Sequence, residues 1–177
     1  MKKIVSAVMA TMALLCGGAA LAQEEARAVA VVHPTAGNRA EGTVWFVQVD
    51  DRVKVTADIQ GLAPNGTHGF HIHEWGDCSK PDATSAGSHY NPEGHAHAGP
   101  DTEARHAGDL GNLHADENGR AHLELTLDNV SIHGGKNPIL GRSVIIHAGA
   151  DDLKSQPTGN AGDRIGCGVI GLAKPSK

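Results

Sequence analysis

Gly42-Thr43-Val44-Trp45-Phe46-Val47-Gln48-Val49-Asp50 and, directly after Asp51, Arg52-Val53-Lys54-Val55-Thr56-Ala57-Asp58-Ile59-Gln60 are the stretches that decide the fold. In the second, Val53, Val55, Ala57 and Ile59 alternate with polar or charged residues, the period-2 signature of a strand with one buried face. The first is dense in β-branched and aromatic residues, and Asp50-Asp51 between the two favours a tight hairpin turn. Working outward, Val29 to His33 and Ala121 to Asp128 carry the same strand pattern, the latter behind a strong Asn118-Gly119 turn signal. Further strands are predicted at Thr67 to His73, Ser143 to His147 and Gly166 to Leu172. No stretch of ten or more residues keeps a helical period, so helix should be scarce and the domain antiparallel all-β. Glu74 to about Ala107 and Ala148 to Gly166, rich in Gly, Pro, Asn, Asp and Ser, read as two long functional loops.

The amino terminus reads as an export signal. Lys2 and Lys3 precede an apolar run from Ile4 to about Leu15, and Ala20-Leu21-Ala22 is a small-x-small cleavage pattern. We therefore expect residues 1–22 to be a secretory signal peptide, 23–41 an N-terminal segment with the first strand, and 42–177 the body of one domain continuous with that strand. The apolar run breaks at Cys16-Gly17-Gly18, short of the ~20 residues a membrane span needs. Lipidation of Cys16 is disfavoured by Leu15, where a small residue would be wanted. Removing residues 1–22 leaves thirteen basic against twenty acidic residues, so nucleic acid is not an expected partner. Cys78 and Cys167 then remain as an even pair, which in an exported chain points to a disulfide and an oxidising compartment.

Among twelve histidines, spacing singles out a few. His71-Ile72-His73 puts two imidazoles on the same face of a predicted strand, where both can reach one ion. His147 ends the apolar run Ser143-Val144-Ile145-Ile146, where a core strand would prefer a hydrophobe. His89, His97, His106 and Asp109 follow in a segment full of turn formers. Imidazoles with one carboxylate suit zinc, and an all-nitrogen set is compatible with copper in a redox role, so two unlike sites are suggested. Spacing alone does not divide these residues between sites or exclude His68, His95 or His114.

Gly69-Phe70-His71-Ile72-His73-Glu74, Gly87-Ser88-His89-Tyr90-Asn91-Pro92, Gly108-Asp109-Leu110-Gly111-Asn112 and Gly159 to Gly171 resemble the copper/zinc superoxide dismutases. The likeness spans roughly Gly42 to Leu172, and the placement of Cys78 close behind His73-Glu74-Trp75-Gly76 resembles the bacterial exported type. The resemblance implies a Greek-key β-sandwich or flattened barrel of about eight antiparallel strands. It implies copper held by His71, His73, His89 and His147, zinc held by His89, His97, His106 and Asp109, and the His89 ring bridging the two ions. Asp151 would be the carboxylate linking one ligand of each metal, Cys78 and Cys167 the intrachain disulfide, and Arg164 the guanidinium that docks superoxide. His89 would also carry a proton in turnover.

The activity implied is conversion of two superoxide anions and two protons to dioxygen and hydrogen peroxide, in a periplasmic or secreted protein that protects the cell envelope. Only sixteen residues separate His147 from Arg164, fewer than in the eukaryotic members, and their guiding charge cluster is not recognisable; Lys80, Lys136 and Lys154 are the candidates for steering. A non-catalytic copper/zinc-binding module on the same fold is the alternative reading. A hydrolytic zinc enzyme, with Glu74 as its base, is a third. A homodimer is carried as the candidate assembly, and no role is assigned to His33, His95, His114, His122 or His133.

Overall fold

A computed structural model describes residues 26–174; the expected signal peptide, Cys16 and the cleavage point near Gln23 lie outside the described residues. The eight strands in chain order are β1 (Arg27–Pro34), β2 (Glu41–Val49), β3 (Arg52–Gln60), β4 (Thr67–His73), β5 (Asp109–His114), β6 (Ala121–Leu127), β7 (Ser143–His147) and β8 (Arg164–Leu172). The hairpin at Asp50 forms with Val49 opposite Arg52, and Asp50 takes a left-handed conformation at φ 53° that an aspartate tolerates in a tight turn. A single 3-10 turn, Thr84–Ala86, is the helical element among the described residues.

Every pairing is antiparallel, and the strands run in the order β5-β4-β7-β8-β1-β2-β3-β6. The two end strands, β5 and β6, approach each other and nearly close the sheet into a flattened barrel. The chain therefore completes the β1-β2-β3 meander, crosses to lay down β4 and β5, returns for β6, and crosses again to β7. Such crossings are what make the topology a Greek key. The core fills the space between the halves with Ala28, Ala30, Val32, Val44, Phe46, Val55, Phe70, Ile72, Leu113, Val144, Ile146 and Ile170. Full burial of a side chain the size of Phe or Ile contributes about 1.5–3 kcal/mol.

Two boundaries differ from the sequence reading. β5 lies beyond the first predicted loop, in chain the sequence assigns to no strand: Gly111 sits within it at φ 82°, and Leu110-Gly111-Asn112 carries little β propensity. Pairing with β4 makes it a strand despite its composition. The second long loop ends at Asp163 rather than Gly166, because Arg164 already pairs opposite His147.

Both strands nearest the histidines carry irregularities. The β4–β5 register shifts between Gly69 and His71, and the β7–β8 register shifts between Ile146 and His147. Bulges of this kind re-aim a side chain next to a functional site.

Candidate metal centre

Phe70 and Ile72 point from β4 into the core, so His71 and His73 lie on the opposite face, as the period of a strand requires. That outer face is covered by the two long loops, which leaves His71 and His73 fully buried. His147 reaches the same space from β7, which pairs directly with β4. The long loop after β4 returns to this strand twice: Tyr90 N–H donates to the Ile72 carbonyl and Ile72 N–H to the Gly108 carbonyl, each at 2.9 Å. Gly108 passes so close to the Ile72 carbonyl that a Cβ would collide with it. These anchors bring His89, which bridges His73 in a short antiparallel contact, and the His106–Asp109 turn over the sheet.

Two clusters of ligand atoms result. His71, His73, His89 and His147 form one; His89, His97, His106 and Asp109 form the other; within each, all candidate atoms lie within 4.8 Å of one another. His89 belongs to both, with its ring centroid 3.9 Å from that of His71 and 5.6 Å from that of His106.

The outer nitrogen of most of these rings is already committed. His71 Nε2–H donates to Asp151 Oδ2 at 2.7 Å, His73 Nδ1–H to the Gly87 carbonyl at 3.0 Å and His147 Nδ1–H to the Gly162 carbonyl at 3.0 Å. The inner atoms left over, His71 Nδ1, His73 Nε2, His147 Nε2 and also His89 Nε2, are buried without a hydrogen-bond partner among the described residues. Buried imidazole nitrogens are rarely left so. Four of them converging is a donor set that fits a nitrogen-bound transition metal, with carbonyl and carboxylate partners fixing each ring's tautomer.

In the second cluster Asp109 Oδ1 stands 3.0 Å from His89 Nδ1, 2.9 Å from His97 Nδ1 and 3.2 Å from His106 Nδ1. The His106 approach lacks hydrogen-bond geometry. A tetrahedron with bonds of about 2.0 Å has edges of about 3.3 Å, so this spacing fits a three-histidine, one-carboxylate zinc site. Asp109 Oδ2 accepts the Ala98 and His106 N–H groups at 3.1 and 3.0 Å, which aims Oδ1 inward.

The electrostatics separate His97 from His71, His73, His89 and His147, all four of which are held below the ordinary imidazole value by burial. Burial, opposed by the Asp151 hydrogen bond, pushes His71 down to about 3. Burial likewise takes His147 down to about 4, with the Gly162 carbonyl opposing, and holds His73 well below its usual value. His97 goes up to about 9, because Asp109 and Asp151 together outweigh its burial. Burial would raise both carboxylates, but their imidazole partners hold Asp109 and Asp151 below the ordinary range.

Asp151 spans the clusters, taking His71 Nε2–H on one oxygen and His97 Nε2–H on the other at 2.7 and 2.9 Å. Its own backbone is tied to the Asn112 side chain by bonds of 2.8 and 2.9 Å. Arg164 donates from Nη1 to the Ala83 carbonyl at 2.6 Å and from Nη2 to the Gly87 carbonyl at 2.7 Å. Gly87 O thus serves both this guanidinium and the first-cluster residue His73. Cys78 and Cys167 are disulfide-bonded and pack with Ala83, Ala86 and Ile145, beneath the segment that presents those two carbonyls.

Other residues raised by the sequence lie elsewhere. His68 is buried with Nδ1–H on the His147 carbonyl at 2.8 Å, His95 bonds the Arg105 carbonyl at 3.1 Å, and His114 bonds Thr67; none joins either cluster. Glu74 accepts the Ser88 N–H at 2.8 Å and also stands outside them. Lys136 is 3.2 Å from Glu93. Sequence reasoning missed Gln156, which bonds the His97 backbone; a lone glutamine in a loop carries no signal that could have singled it out.

The family model described as copper/zinc superoxide dismutase matches residues 40–170. The chain is 50% identical over 140 residues to "Superoxide dismutase [Cu-Zn]" of Paramecium bursaria Chlorella virus 1, covering 76% of this chain and 74% of that protein. It is 41% identical over 157 residues to "Extracellular superoxide dismutase [Cu-Zn]" of Brugia pahangi, covering 84% and 77%.

Proposed function

The chain belongs to the copper/zinc superoxide dismutase family, and from that premise we propose that His71, His73, His89 and His147 hold copper while His89, His97, His106 and Asp109 hold zinc. The protein is an oxidoreductase that converts superoxide to dioxygen and hydrogen peroxide, with copper and zinc as its cofactors. The observation that carries the ligand assignment is His89: it turns one ring nitrogen toward each cluster, whereas His71, His73, His97 and His147 each spend one nitrogen on an oxygen outside.

Copper, when bound, supplies reversible one-electron chemistry that takes two superoxide anions and two protons to dioxygen and hydrogen peroxide, while zinc is redox-inert. The chain's own residues do the rest. Gly87 and Asp151 orient the copper ligands through their outer nitrogens, and the loops keep His71, His73, His89 and His147 buried. Arg164, its guanidinium fixed by two carbonyls, docks the anion beside His73 and His147. His89 holds and releases a proton at Nε2. For a chain with a net charge of −5, a local cation is needed to offset long-range repulsion of an anionic substrate. Lys80 is the best placed of the three steering candidates: its carbonyl receives the Ala83 N–H, so it sits in the turn that presents Ala83 to Arg164.

The protein is further proposed to be exported by residues 1–22 to the periplasm or outside the cell, in the manner of the bacterial exported type, and there to protect the envelope. The extracellular name of one relative supports this. A homodimer is proposed through the face where Val31 of β1, Val169 of β8 and Trp75 stand exposed, the last next to Gly76, which lies against Val169. The disulfide belongs to that same oxidised state.

The test is to purify the mature protein, count copper and zinc per chain, and assay superoxide consumption with and without a copper chelator. One copper, one zinc and chelator-sensitive turnover are expected; full metal content without turnover would overturn the assignment of the copper cluster as catalytic. Arg164→Ala is expected to lower the rate roughly tenfold or more and to flatten its salt dependence at unchanged metal content.

A further inference from the structure

His97 is the zinc-cluster residue with the least support from regular structure. His89 bridges β4, His106 lies in the turn that leads into β5, and Asp109 belongs to β5 itself. His97 sits between Asn91 and Arg105, in chain that belongs to no strand. What holds its main chain comes from the other loop. Gln156 Oε1 accepts the His97 N–H at 2.8 Å and Gln156 Nε2–H donates to the His97 carbonyl at 2.8 Å, across 59 positions of sequence. One amide group thereby satisfies both backbone groups of a single residue.

The same loop also grips the ring. Asp151 Oδ1 accepts from His97 Nε2–H at 2.9 Å, and Gly159 at φ 67° lies so close that a Cβ would collide with Asp151 Oδ1 and come within 2.7 Å of His97 Nε2. Leu153 lies over Gly99, two residues past His97. Nothing else in the loop offers His97 a two-point contact with its backbone.

We propose that Gln156 is a positioning residue for zinc: a clamp on the main chain of His97 that keeps its ring in register with Asp151 and with the zinc cluster. Zinc retention then depends on the short loop after β7 as well as on the loop that supplies the ligands. This rests on the assignment of His97 to zinc. Partners of this kind, one bond removed from a ligand, are typically worth about 10–100-fold in metal affinity.

The experiment uses the full mature protein loaded with copper and zinc, and follows transfer of each metal to an excess of chromophoric chelator for wild type, Gln156→Ala and Gln156→Glu. The metal-free thermal midpoint of each is measured alongside. Gln156→Ala is expected to release zinc about tenfold faster. Gln156→Glu, which keeps the acceptor for His97 N–H but loses the donor, should fall in between, and it reads the same clamp if the alanine variant does not fold. Copper transfer and the metal-free midpoint should stay close to wild type. Zinc transfer unchanged in both variants would overturn the clamp, as would a metal-free midpoint well below that of the wild type, which marks a general structural role. A wild-type protein that binds copper but no zinc would instead overturn the assignment of His97, a result that zinc-bound but indifferent variants would not give.

Discussion

β3 and β4 follow one another in the chain and share the same core, yet their outer faces live in different worlds. Along β3 buried and exposed residues alternate from Arg52 to Gln60, so one face is wet. Along β4 every residue from His68 to His73 is buried, and β7 is buried throughout. The difference is not in the sheet. It lies in the two loops laid over β4 and β7, which leave polar imidazoles in a dry space that the strands alone could not create. A buried imidazole without a partner is destabilising, so this half of the barrel draws part of its stability from coordination, whereas the β1-β2-β3-β6 half relies on its hydrophobic face.

Removing the metals is the strongest test of that difference. Zinc bound with an apparent free energy of about 10 kcal/mol, in a domain where each kcal/mol moves the midpoint by about 2–4 °C, corresponds to a drop of roughly 20–40 °C on chelation. Hydrogen exchange should show where the loss falls: amides of His89 to Asp109 and of Ala148 to Asp163 lose protection, while β2 and β3 keep theirs. A midpoint that moves by only a few degrees, or uniform loss of protection, would erase the contrast between the halves.

Acidity probes the loop-covered half at finer grain, because His97 answers to pH in the opposite direction from His71 and His147 when the metals are absent. His71 and His147, down to about 3 and 4, are neutral in the folded protein, while the unfolded chain protonates them near 6.5. The unfolded state therefore takes up more protons as pH falls below 6.5, and stability declines from there toward the folded values. His97, up to about 9, stabilises as a cation; its contribution is whole below 6.5 and is lost as pH rises through about 9. The metal-free protein should accordingly be most stable in the neutral range. Imidazole resonances followed by NMR should show His71 and His147 still neutral near pH 5 and His97 still charged near pH 8. His97 titrating near 6.5 would mean that Asp109 and Asp151 do not hold it.

The same contrast decides what the sequence could disclose. Val53, Val55, Ala57 and Ile59 announced β3 because water on one face forces alternation. β5 stayed hidden because its strand character comes from pairing with β4 over Gly111, a tertiary effect that no local pattern records. The histidines were visible as candidates, and His71-Ile72-His73 gave their shared face, but nothing in the spacing said that His89 stands between two groups or that His68 stays out of both. That division depends on Ile72 binding Tyr90 and Gly108 through its backbone, contacts made by groups every residue possesses. Resemblance to a family supplied what residue chemistry alone left open.

The smallest expected effect contrasts two ion pairs. Lys54 and Glu124 meet diagonally across β3 and β6 at 3.2 Å, each about half exposed, on the wet side of the plain half. Arg105 and Asp128 meet at 2.9 Å, but the Arg105 side chain is 5% exposed and also donates to the Thr102 carbonyl. Lys54→Ala gives up an interaction screened by water and should cost about 0.2–1 kcal/mol in denaturant unfolding. Arg105→Ala also removes a hydrogen bond within the long loop after β4 and leaves a space there, so about 1–3 kcal/mol is expected. Because Asp128 is 65% exposed, the ion pair itself is a minor part of that figure. The informative comparison is Arg105→Ala against Asp128→Ala: if the two cost the same, the pair carries the effect and burial of the guanidinium does not. A larger loss at Arg105 shows that the loops over β4 are held by what is buried beneath them.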